Sequence, residues 1–96
     1  MRQAVVLRKL EETQDRLERA RVELAVLDEQ FEALDQAAEE LRIRNLLSET
    51  PQSSHDYAEM CRAADTLERA RTAVRKSLEE LHAARAELLQ HVESST

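Results

Sequence analysis

Leu10, Leu17, Leu24, Phe31 and Ala38 stand seven residues apart. Three residues after each come Thr13, Ala20, Leu27, Leu34 and Leu41, with Val6 leading this second series. Ten of these eleven positions are apolar. Such a heptad pattern lays one apolar stripe along a helix, the seam of a coiled coil. Asn45 and Ser48 then fall on the stripe, and the pattern fades. The segment SETPQSSHD, residues 48–56, holds the only proline and is the single place rich in turn and capping residues. Thr50 before Pro51, or Ser53 with Asp56 three residues on, fits the start of a helix. A second series follows in Met60, Leu67, Val74, Leu81 and Leu88, with Ala63, Ala70, Ser77, Ala84 and His91 three residues after each. The pattern predicts one domain spanning 1–96, with a helix over about 2–48, a loop over about 49–53 and a helix over about 53–93.

Folding the second helix back on the first sets Leu34 opposite Leu67, Leu41 opposite Met60, Leu27 opposite Val74 and Ala20 opposite Leu81. Large faces small at Leu17 and Ala84, Leu24 and Ser77, and Phe31 and Ala70, the alternation that fills a core without voids. The same register opposes charges at Asp28 and Arg71, Arg16 and Glu87, and Arg44 and Glu59, and brings Arg42 near Tyr57. Only Glu23 and Glu80 repel. The chain is therefore read as all-α, a two-helix antiparallel coiled-coil hairpin. Helices that are partners only to each other should be polar elsewhere. Here Val22, Val26 and Ala33 lie off the seam, with Leu78 near their level, and Ile43, Leu46 and Leu47 cluster beside the loop. Chains of this size often complete a small core by oligomerising, so these faces predict a homodimer closing into a four-helix bundle.

Composition agrees with the helical reading. Ala, Leu, Glu, Arg and Lys make up 57 of 96 residues, and glycine and tryptophan are absent, which fits long helices and coiled coils. It also leaves no means of building a glycine-rich phosphate loop or a β-sandwich. The net charge of −6 and the single Phe and Tyr argue against nucleic-acid binding, which needs a basic stripe and stacking aromatics. No apolar stretch approaches the length needed to span a membrane, and that near the N-terminus is too short for a signal-peptide core. With one cysteine, Cys61, a reduced, cytoplasmic protein is expected.

Catalytic, metal and cofactor sites are not expected. His55, His82 and His91 lack metal-ligand spacing, and a two-helix hairpin has no enclosed cavity in which to exclude water. The expected function is a non-enzymatic protein–protein interaction module, an adaptor, scaffold or small regulatory subunit. A second reading places function at the tip, through Glu49, His55, Asp56 and Tyr57. That acidic tip resembles the coiled-coil finger of transcript-cleavage factors over about ten residues, without their second domain. A third makes Ile43, Leu46 and Leu47 the docking patch of a chaperone or secretion partner. The chain lacks both the Trp-x-Gly turn of small secreted hairpins and the β-barrel of prefoldin-like holdases.

Overall fold

A computed structural model describes residues 2–94. It contains two helices, α1 over Gln3–Leu47 and α2 over Pro51–Ser94, which pack against each other as a hairpin, with no strand among the described residues. No helix is long and apolar enough to cross a membrane. The second helix thus starts at Pro51, two residues before the position expected from the heptads.

The reason lies in the link between the helices. Thr50 Oγ1 accepts from the Ser53 backbone N–H at 3.0 Å, and Ser53 Oγ accepts from the Thr50 N–H at 3.1 Å. This is a reciprocal cap, with serine at the third helical position where glutamate or glutamine is common. Pro51 takes the first helical position, where a missing N–H costs nothing and its fixed φ already suits the helix. Asn45, on the seam of α1, closes the link from the other side. Its Oδ1 accepts from Ser53 Oγ at 2.8 Å and from Ser54 Oγ at 3.0 Å. The link makes its bend without any positive φ, so the absence of glycine carries no strain. We expect Thr50→Ala to lower stability by about 1 kcal/mol, the usual loss of an N-cap oxygen. Urea unfolding reads the loss, and Thr50→Ser should restore most of it.

The chain divides into two compact units. One, Ala25–Thr72, contains the link; the other joins α1 up to Leu24 with α2 from Ala73 onward. In the first, Ala38 is buried, and Phe31, Leu34, Leu41, Met60 and Leu67 are half-buried. In the second, Leu17 and Val6 are the most deeply buried side chains, at 0% and 1% exposure, and Val74 is also buried. The units differ in charge. Ala25–Thr72 carries five basic and eleven acidic residues, whereas the other unit carries nine of each, so the whole net charge of −6 resides in the first.

The α1 seam lies as its heptads predict, with every position from Val6 to Asn45 buried or half-buried. The α2 seam does not. Ala63 and Ala70 are half-buried as expected, but Ser77, Ala84 and His91 are exposed, and Leu78 and Val92 are half-buried instead. An α-helix has 3.6 residues per turn, so a strict seven-residue repeat drifts by about 20° per heptad on a straight helix. From Met60 to Leu88 the drift accumulates to nearly one residue. After Val74 and Leu88 the half-buried residue lies four positions on rather than three, while after Leu81 both Ala84 and Arg85 are exposed. The Leu24–Ser77 and Leu17–Ala84 layers are corrected accordingly.

Candidate functional site

Within Ala25–Thr72 the helices are tied by Arg71. Its Nε donates to Asp28 Oδ1 at 2.8 Å, its Nη1 donates to Glu68, and its guanidinium lies 4.3 Å from the centre of the Phe31 ring. The side chain is 16% exposed. The Asp28–Arg71 pair was legible from charge opposition; the stacking on Phe31 was not. Arg71 is half-buried beside Ala70, and from there its guanidinium reaches over the ring. Bonding to Asp28 is the main reason the guanidinium is raised above its ordinary pKa, and Glu68 adds to the shift.

Other expected pairs resolve differently. Arg42 makes a two-pronged contact with Glu39, one turn back, at 2.7 and 2.9 Å. That hydrogen bond is the main cause of the lowered Glu39 pKa. Arg42 is near enough to Tyr57 to act on it electrostatically, but a side-chain hydrogen bond with Cys61 dominates and raises the phenol above its usual value. Glu59 bonds to Arg62 rather than Arg44, which lowers its pKa, and His55 Nε2 lies 4.0 Å away.

The tip residues do not converge. Asp56 accepts from Gln52 Nε2 at 2.8 Å, His55 approaches Glu59, and Tyr57 has its pKa raised chiefly by Cys61, one turn on. Each is engaged along α2, while Glu49 stands exposed in the link. The apolar residues beside the link do gather: Ile43, Leu46 and Leu47 are 46%, 72% and 83% exposed. Val22 and Val26 are 65% and 48% exposed, and Ala33 is exposed. Leu78 is half-buried, drawn inward by the seam shift, so it presents less surface to a partner than the sequence suggested.

A feature the sequence did not reveal is an open groove of about 480 Å³ between α1 and α2. Ala38, Cys61 and Ala64 form its floor, and Phe31 and Tyr57 stand toward its two ends. Asp35 and Glu39 rise on the α1 side, Asp65 and Glu68 on the α2 side. Its signal in the sequence is faint: two alanines at or beside the seams, flanked by carboxylates about one turn apart. No metal-binding cluster occurs among the described residues. Together these surfaces offer open apolar area and, in the groove, carboxylates on both walls. No family model, curated protein or solved structure matches the chain.

Proposed function

We propose that the chain is a non-enzymatic protein–protein interaction module, an adaptor, scaffold or small regulatory subunit, that associates with a second copy of itself. The observation supporting this is the apolar side of α1. Val26, Ala33, Ile43 and Leu47 fall on one face of the helix away from the seam, and all four are exposed. Covering a fully exposed leucine or isoleucine stabilises a complex by roughly 1.5–3 kcal/mol, and the face repeats at the spacing on which helix packs against helix. Its border favours a like partner. Glu40 and Arg44 lie on α1 beside Ile43 and Leu47, so a two-fold contact brings an acid and a base from each copy to the border of the face. Two hairpins joined through α1 make a four-helix bundle.

Sedimentation equilibrium tests the reading. The wild-type chain is expected near twice 11.0 kDa, and Ile43→Asp with Leu47→Asp near the monomer mass with unchanged helical circular dichroism. A wild-type monomer at every concentration would remove self-association from the proposal. A double variant that stays dimeric would remove this face.

A further inference from the structure

The groove in Ala25–Thr72 lies on a different side of α1 from the face given to a second copy, and its chemistry is different. Its floor is apolar and, at Ala38 and Ala64, small; two alanines opposite each other leave room for a large side chain from outside. Phe31, backed by the Arg71 guanidinium, stands toward one end and Tyr57 toward the other, so the floor extends over about two helical turns. The walls are acidic on both sides. Glu39 and Glu68 are engaged by Arg42 and Arg71, which leaves Asp35 on α1 and Asp65 on α2 without a side-chain partner among the described residues. The unit that holds them carries the whole net negative charge of the chain.

We propose that this groove receives an amphipathic helix of a basic partner protein, with a leucine-sized apolar side chain seated between Ala38 and Ala64 and lysine or arginine on each flank, facing Asp35 and Asp65. A helix suits the space because wall and floor residues recur at one-turn spacing on both sides, the pattern into which a third helix interdigitates. A basic flank suits it because a carboxylate on each helix lines the groove without a side-chain partner among the described residues. A second copy laid groove to groove would set the same carboxylates, Asp35 and Asp65, against each other. The inference rests on the reading of the chain as an interaction module but not on the dimer face.

Three fluorescently labelled synthetic helices test it on the full chain by anisotropy. One carries a leucine stripe flanked by lysine and arginine, one the same stripe flanked by glutamate, and one the basic composition scrambled to destroy the stripe. The basic striped helix should bind most tightly, and raising salt from 50 to 300 mM should weaken it by about tenfold, as expected where opposed charges steer and hold a contact. Asp35→Asn with Asp65→Asn should weaken it by several-fold, at two exposed positions where the fold is not at stake, and Ala64→Met should block the floor. Ile43→Asp with Leu47→Asp should leave peptide binding intact, which separates the groove from the dimer face. Equal binding of the glutamate-flanked helix would overturn the proposal, as would equal binding of the scrambled peptide. So would an Asp35 and Asp65 double variant that changes the self-association mass and not the peptide affinity, because the groove would then belong to a second copy.

Discussion

Replacing Leu17 by alanine is expected to cost about 2–5 kcal/mol, the range for truncating a fully buried leucine. Small domains are stable by only about 5–15 kcal/mol, so one substitution should remove a large share of the total. The reason is how little of this hairpin is truly buried. Among the described residues, Leu17 and Val6 alone of the large side chains approach complete burial, at 0% and 1% exposure, while most other seam residues are half-buried. Truncation removes the transfer free energy of the lost methyl groups and leaves a void that two stiff helices can close only in part. The better helix propensity of alanine returns a few tenths of a kcal/mol at most. Leu47→Ala is the internal control. At 83% exposure it should change unfolding by less than about 0.5 kcal/mol, as for surface sites outside special features. Urea unfolding at fixed chain concentration compares them, because self-association would otherwise add its own contribution. A Leu17→Ala loss under about 1 kcal/mol would mean that the unit collapses around the void and that its stability does not depend on that seam residue.

The same contrast explains what could be read from the sequence and what could not. The α1 seam was legible because burial there is decided by periodicity alone: an apolar residue every three or four positions has only one side of the helix to occupy. The start of α2 was legible as a choice between two caps, and the reciprocal Thr50–Ser53 hydrogen bonds decide it. Asn45 looked like a fading heptad. Its role appears only with the two serines eight and nine residues later whose hydroxyls it receives. The far half of the α2 seam failed because reading a fixed seven-residue repeat assumes supercoiling enough to hold 3.5 residues per turn. Ser77, Ala84 and His91 lie on the outside, with Leu78 and Val92 turned inward, the direction in which a seven-residue repeat drifts on a helix of 3.6 residues per turn. The groove lay beyond reach for a further reason. It is made by what Ala38 and Ala64 lack, and a missing side chain has meaning only once the facing residue is known.

Arg71 offers the second large effect, and one that separates charge from stacking. Its guanidinium touches three groups at once: the Asp28 carboxylate across the hairpin, Glu68 on its own helix, and the Phe31 ring. Arginine alone offers both a planar fork and a weakly hydrated flat face, so no single replacement preserves all three contacts. Arg71→Lys keeps the charge near Asp28 and loses the flat contact with the ring, and a moderate fall in the unfolding midpoint is expected. Arg71→Leu keeps apolar cover over Phe31 and leaves Asp28 and Glu68 without this cation. Arg71→Glu should fall furthest, because it brings a third carboxylate against two others beside an apolar ring. Adding 1 M salt should narrow the gap between the glutamate and leucine variants, since the difference between them is mostly charge repulsion and the screening length drops to about 3 Å. It should leave the gap between lysine and arginine nearly intact, since that gap is contact. The exchanged pair, Asp28→Arg with Arg71→Glu, then decides between the two contributions. The swap restores opposite charges across the hairpin, but a guanidinium reaching over from α1 no longer lies on Phe31, so recovery should be partial. Full recovery would show that the ion pair carries the effect and that the 4.3 Å stacking on Phe31 contributes nothing measurable. No recovery would show the reverse, that the hairpin is held at this point by the covered ring and that the charges only follow the register.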